Sequence, residues 1–240
     1  MTEIPEPPEA AVLEAFKTVS TATLTTQLFK RGFRNAFLAG VAPVNAEAAS
    51  FAAPAYTLRY IPAREDVAVP EIWANHEYPQ RRAIEAAPEG WALIIDSMGD
   101  IRSGSLGDIL IKRLQVRGVA AVITDGALRD TPVIWDMGYP AFCAGAAAPA
   151  SVATLYAADL QQPIGCAGVA IFPGDILVGD AEGVVAVPRH LAEDVARDAV
   201  EQERLERFVH ERIEQGHSTF GTYPPNEETL AEYRKWIEDS

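Results

Sequence analysis

The spacing of apolar positions divides the chain into alternating helices and strands. Residues 8–19 carry Val12, Leu13, Phe16 and Val19 at helical intervals, which predicts a helix with one buried face. Ser20 or Thr21 is placed to cap a second helix through Arg31, with Gly32 closing it. Residues 33–49 read as loop and short strand. In 51–60, Tyr56, Leu58 and Tyr60 alternate with Thr57 and Arg59, the pattern of a half-buried strand. A short helix over 80–87 and an apolar strand over 91–96 come next. Three strands are predicted at 164–172, 176–179 and 184–187, with Pro173-Gly174-Asp175 and Asp180-Ala181-Glu182-Gly183 turning the chain between them. Pro188 opens a long helix that runs to Gln215-Gly216, with Leu191, Val195, Ala199 and Gln202 facing one way. Pro224-Pro225 breaks the chain, and 227–236 reads as a last helix that packs Tyr233 and Trp236.

The stretch from Gly104 to Asp130 combines pattern with chemistry. Gly107 and Asp108 open a helix whose apolar side is expected from Ile109, Leu110, Ile111 and Leu114, and Gly118 stops it. Residues 119–123 form a short apolar run suited to a buried strand, and Asp125-Gly126 is a turn signal. A strand over 139–143 and a small-residue loop over 144–150 follow. Arg129 and Asp130 come just past the turn. Ligands of open α/β sheets gather outside the carboxyl ends of strands, and the free N–H groups of a helix start favour anions. Amides at 107–110, a cation at Arg129 and carboxylates at Asp108 and Asp130 suit a carboxylate and a hard metal ion held together. From this stretch alone, a solvated Arg–Asp pair beside an ordinary helix cap is the commoner reading of the same residues.

Composition narrows the function classes. With 240 residues, 48% of them hydrophobic, the chain can bury a sizeable core. Thirty-four acidic against 20 basic residues give a net charge of -14, which repels nucleic acid in the absence of a basic patch. No apolar run approaches the ~20 residues of a membrane span, and the acidic, proline-rich start is unlike a signal peptide. Cys143 and Cys166 are the only cysteines and sit among apolar or small residues, so buried free thiols in a reducing, cytoplasmic setting are expected. His76 has no second histidine at ligand spacing, which argues against zinc. Residues 61–80 are long, charged and irregular; they lie over a pocket, build a subunit contact, or form a mobile surface excursion. Asp96 ends a strand and is either a site residue or a turn former. There is no GxGxxG, P-loop, internal repeat or low-complexity tract.

Gly107-Asp108-Ile109-Leu110, Arg117-Gly118-Val119-Ala120 and Thr124-Asp125-Gly126-Ala127-Leu128-Arg129-Asp130 stand in one order and spacing. With Pro173-Gly174-Asp175 and Gly179-Asp180-Ala181-Glu182-Gly183-Val184-Val185 they resemble the RraA-like family over about residues 18–215. That family includes regulators of ribonuclease E and class II aldolases acting on 4-hydroxy-4-methyl-2-oxoglutarate and 4-carboxy-4-hydroxy-2-oxoadipate. The chain departs from it at Thr25-Thr26-Gln27, where Ser-Asp-Ala is frequent, and in the longer tail after Gly216.

The resemblance implies an α/β fold of the swivelling β/β/α type, with a central mixed sheet, flanking helices and a projecting C-terminal helix. It implies one domain over 1–240, with 216–240 as an extension, and a homotrimer or a pair of trimers. Arg129 is expected to grip the carboxylate of a 2-oxo acid and Asp130 to ligate magnesium or manganese. Asp108 is expected to hold a metal-bound water, and the backbone of Gly107, Asp108, Ile109 and Leu110 to meet the substrate. Glu201 and Glu203 are candidates to reach a neighbouring subunit's site, or else simply line a solvated helix face. The expected activity is metal-dependent cleavage of a 4-hydroxy-2-oxo acid with release of pyruvate. Oxaloacetate decarboxylation, sugar-acid dehydration and ribonuclease regulation are the alternatives.

Overall fold

A computed structural model describes residues 4–239. Residues 1–7 read from their sequence as a frayed start, and the first three of them lie outside the described residues.

Four strands build the parallel half of an eight-stranded sheet. The long strand Phe51–Pro62 pairs in parallel with Ala92–Asp96, that strand with Ala121–Thr124, and that in turn with Ala141–Cys143. Parallel neighbours need crossovers. The helices Pro79–Ala86, Asp108–Val116 and Thr131–Asp136 supply three in succession. All four carboxyl ends therefore open on one edge, where the loops after 96, 124 and 143 meet. The antiparallel half comes from Ile176–Gly179, Val184–Val187, Leu155–Leu160 and the short Ala42–Pro43.

The long strand corrects the alternation read from its sequence. Thr57 is as buried as Leu58, and only Arg59 reaches solvent before the strand's last two residues. Strands lie on both sides of it and packed layers cover both faces, so burial is continuous. Tyr56, Leu58, Tyr60, Leu93 and Ile95 fill one core, and Ala53, Ala55, Ile94, Ile123 and Leu177 fill the other. A third core lies under the helices Ala10–Phe16, Thr21–Lys30 and Ala192–Glu214 and contains Phe16, Leu24, Leu28, Val185 and Val195. Ser20 caps the second helix by accepting from Thr23 N at 3.1 Å. Gln27, one of the departures from the family pattern, donates from Nε2 to Gln202 Oε1 of the long helix. A small fourth cluster of Phe208, Val209 and Tyr233 joins the end of that helix to Glu227–Asp239.

Other readings need adjustment. Residues 164–172 form a hairpin of Ile164–Cys166 and Val169–Ile171 rather than one strand. Ala167 and Gly168 both take positive φ, 50° and 75°, as a tight hairpin turn of this hand requires. After Pro188 a 3-10 turn, Arg189–Leu191, precedes the long helix. The strand Leu155–Leu160 and the helix Thr131–Asp136 had no counterpart in the pattern. Among the described residues no helix is long and apolar enough to cross a membrane.

Candidate active site

The loop before helix Asp108–Val116 is laced to the segment after strand Ala121–Thr124. Ser105 N donates to Ala127 O at 2.8 Å, and Arg129 N to Leu106 O at 2.9 Å. The approach is so close that a methyl carbon on Gly104 would fall 2.3 Å from Arg129 Cγ and 2.8 Å from its backbone nitrogen. One on Gly107 would fall 2.9 Å from Asp130 Oδ2. Both glycines are there because backbone and side chain share that space.

Arg129 and Asp130 are thereby delivered to the start of the helix. Asp130 adopts left-handed φ and ψ of 57° and 32°, which aspartate tolerates better than most residues. It occupies the N-cap of helix Thr131–Asp136, yet its side chain makes no capping bond. Among the described residues, neither its carboxylate nor that of Asp108 has a hydrogen-bond or ion-pair partner. Arg129 Nε is buried without an acceptor.

A cleft of about 390 Å³ contains all six residues singled out from the sequence, Gly107, Asp108, Ile109, Leu110, Arg129 and Asp130. Ile109 corrects an expectation: it is 78% exposed, on the cleft side of its helix rather than in the core, which Ile111 and Leu114 enter. Trp73, Gln80, Arg81, Ser105 and Ser151 also line the cleft. Of the three readings of residues 61–80, the one over a pocket holds for the 3-10 turn Pro70–Ala74, which brings Trp73 there. Gln80 was not legible as a site residue. It is buried, and its Nε2 donates to Tyr60 Oη and to Ser105 O, both at 2.8 Å. Tyr60 Oη also donates to Ser105 O at 3.0 Å, so two side chains brace the loop from beneath. Burial pushes the Tyr60 phenol far up, keeping it neutral.

Several acids have other work. Asp96 accepts from Met98 N and Gly165 N and stands outside the cleft, as a strand-end turn former. Asp125 is buried and accepts from the backbone nitrogens of Ser97, Gly99 and Ala167. Its carboxyl is pushed up by burial, against the pull of those amides. Asp175 and Asp180 close turns. Glu203 accepts from Ser20 N and Oγ, and Glu201 from Tyr233 Oη. Both glutamates therefore have partners within this chain; Glu203 is half-buried, while Glu201 stays on the exposed face of its helix. Cys143 and Cys166 are buried and free, their thiols pushed up by desolvation. Among the described residues no three His, Cys, Asp or Glu side chains cluster as a metal cage.

Known proteins resemble the chain in sequence and in fold. The family model for RraA-like proteins, described as Aldolase/RraA, matches residues 19–186. A 4-hydroxy-4-methyl-2-oxoglutarate aldolase of Thermus thermophilus is 30% identical over 108 residues, 45% of this chain and 65% of that protein. A Halalkalibacterium halodurans protein, whose name gives the same activity only provisionally, is 33% identical over 136 residues, 55% of this chain and 64% of its own length. The chain thus spans just under two thirds of either relative. The structure of Streptomyces coelicolor RraAS2, described as an unusual member of the RNase ES inhibitor RraA protein family, matches with TM-score 0.76 at 30% identity. The match covers 86% of this chain and 98% of that one.

Proposed function

The chain belongs to the RraA-like family, and from that premise we propose that it is a divalent-metal-dependent carbon–carbon lyase that cleaves a 4-hydroxy-2-oxo acid and releases pyruvate. One observation carries the reading: an arginine without an ion pair, two carboxylates without partners and the start of a helix line a single cleft. A solvated Arg–Asp pair beside a plain cap does not require the glycine-tight approach that aims both side chains there.

The donor set fits magnesium or manganese. It is all oxygen, and magnesium uses one or two carboxylates and keeps several waters. Asp130 would hold the ion, with Asp108 beside it. When bound, such an ion stabilises as a Lewis acid the negative charge that develops on the 2-oxo acid. The chain's own groups do the rest. Arg129 binds the substrate carboxylate through its planar fork. The amides at the start of helix Asp108–Val116 orient that end of the substrate. Tyr60 and Gln80 keep the loop from yielding. Asp108 holds the water that takes up and returns the proton.

Pyruvate release from a panel of 2-oxo acids, with and without EDTA, tests the proposal. Turnover should vanish on chelation and return with magnesium or manganese. Full activity in rigorously metal-free protein sinks it. The panel also separates aldol cleavage from oxaloacetate decarboxylation and sugar-acid dehydration, and a ribonuclease pulldown addresses the regulatory alternative. A ring of three subunits, or two such rings, is proposed for the assembly; light scattering should give a multiple of three. Two buried free thiols support a reducing compartment, the cytoplasm.

A further inference from the structure

A second cavity, of about 800 Å³, shares no lining residue with the active cleft. It lies between helix Pro79–Ala86 and the end of strand Leu155–Leu160. The helix serves both. Gln80 and Arg81 line the active cleft, whereas Pro79, Arg82 and Ala86, which share a face at helical spacing, line the second cavity. Tyr56 of the long strand and Gln161 just past Leu160 complete its polar wall.

That wall is short of acceptors. Tyr56 is 4% exposed, and its hydroxyl has no hydrogen-bond partner among the described residues, whereas a buried tyrosine hydroxyl ordinarily has one. Burial pushes the phenol up against the pull of the nearby Arg82 charge, so it stays a neutral donor. Arg82 meets only Glu77, at 3.9 Å, and the Glu77 side chain is 84% exposed and off the cavity wall. A pair so placed is screened by water and holds the guanidinium weakly. Gln161 is 6% exposed, with a left-handed φ of 52°. It is bonded to Thr57 in both directions: its N donates to Thr57 O, and its Oε1 accepts from Thr57 N, each at 2.9 Å. Those bonds fix the amide's orientation and leave Nε2 buried without an acceptor. Asp159 is the one carboxylate among the lining residues, and Arg59 pairs with it. Ile4, Pro79, Ala86 and Leu160 make the rest of the lining apolar. A mostly apolar concavity with a few convergent polar groups is the usual form of a small-molecule site.

We propose that this cavity is a second binding site, for a small monocarboxylic acid with an apolar body, whose carboxylate is taken by the Tyr56 hydroxyl and the Arg82 guanidinium. The inference does not depend on the 2-oxo-acid reading of the active cleft. A carboxylate brings two acceptor oxygens, one for an O–H donor and one for a guanidinium edge. The unmatched amide of Gln161 adds a further donor to the same wall. A bare inorganic anion would leave the apolar lining uncovered, and a neutral ligand would leave Arg82 with Glu77 alone.

Calorimetric titration with benzoate and with hexanoate, each set against its neutral amide, tests this. At least one acid should saturate at one site per chain and bind about tenfold more tightly than its amide. Tyr56→Phe and Arg82→Gln should each weaken that acid about tenfold. Tyr56→Phe should melt with the parent, since the hydroxyl it loses has no partner within the described chain. Arg129→Gln should bind the acid within about twofold of the parent, because the active cleft takes no part. Saturation by neither acid, or equal binding of acid and amide, overturns the inference. So does binding that survives Tyr56→Phe and Arg82→Gln, or that is lost with Arg129→Gln. A lower melting temperature for Tyr56→Phe would show that the hydroxyl is already bonded, and would remove the ground for the site. Each of these outcomes leaves the lyase reading to its own assay of pyruvate release.

Discussion

Gly107→Ala separates the site from the fold. Gly107 has φ and ψ of -116° and 178°, extended backbone that alanine adopts without strain. The added methyl falls 2.9 Å from Asp130 Oδ2, against the 3.4 Å at which ordinary contact begins. The carboxylate must therefore retreat by about 0.5 Å, whereas metal–ligand distances hold to about 0.2 Å. A displaced or tilted ligand should cost on the order of ten- to a hundredfold in metal affinity, as loss of ligand support does elsewhere. Fold stability should change by less than about 1 kcal/mol, because the smaller chain entropy of unfolded alanine opposes its poorer fit at an N-cap. Gly104→Ala is the contrast. Its methyl meets Arg129 backbone nitrogen at 2.8 Å, backbone cannot swing away, and overpacking should cost about 1–3 kcal/mol. Manganese titration by calorimetry and thermal melting in EDTA read the two effects separately. If Gly107→Ala melts with the parent and binds metal as tightly, Asp130 is not the ligand that this contact positions. A large fall in its melting temperature would show that the loop cannot absorb the methyl at all.

Four further outcomes are expected. Arg129→Lys should weaken 2-oxo-acid binding about tenfold while keeping metal affinity, since lysine cannot reproduce a planar two-point contact. Asp130→Asn should abolish metal binding measured by titration and slow turnover by about a hundredfold or more, without unfolding an exposed side chain. Asp125→Asn turns an amide group towards backbone donors that a carboxylate now satisfies, and urea melts should show a loss of about 2–3 kcal/mol. Asp100 is held at about 2 by the hydrogen bond from Arg102. Its folded value lies below its ordinary one, so its contribution to stability is complete above the ordinary range and fades as pH falls through about 2. Arg102→Ala should therefore destabilise more at pH 6 than near pH 3 in paired denaturant melts, and an equal effect at both would refute the assignment.

Much of this architecture was legible because local signals and tertiary packing agree. Ser20, Gly32 and Gly118 bound their helices as their chemistry dictates. The run Gly107–Asp130 gathers into one cleft because its glycines and charges sit on two loops that the parallel sheet brings to one edge. Failures arose where the deciding force was not local. Thr57 reads as solvent-facing, but both faces of its strand are covered. Ala167-Gly168 turns a hairpin without the usual Asn or Asp ahead of glycine. Ile109 follows helical spacing and yet faces the cleft, since the core accepts only the Ile111 side of that helix. Gln80 and Arg81 sit side by side in an ordinary polar stretch. One is buried under Ser105 and the other lines the cleft, and no period distinguishes them.

The strain at Asp130 explains why the site is built from backbone approach rather than from a dense cluster of ligands. A left-handed residue that caps no amide gives up about 1 kcal/mol of backbone energy and a comparable capping bond. The segment tolerates this because Arg129 N is tied to Leu106 O and the next helix begins on the Asp130 carbonyl, which accepts from Val133 N and Ile134 N. The carbonyl serves the helix while the carboxylate is left to the cleft. Had the side chain capped the helix instead, the same residue would be neutralised by amides and lost as an anion. Gly107 leaves the carboxylate room on one side, where an added methyl would fall 2.9 Å from Oδ2. The other side remains open, which under the proposed function leaves room for an ion that would bring its own waters.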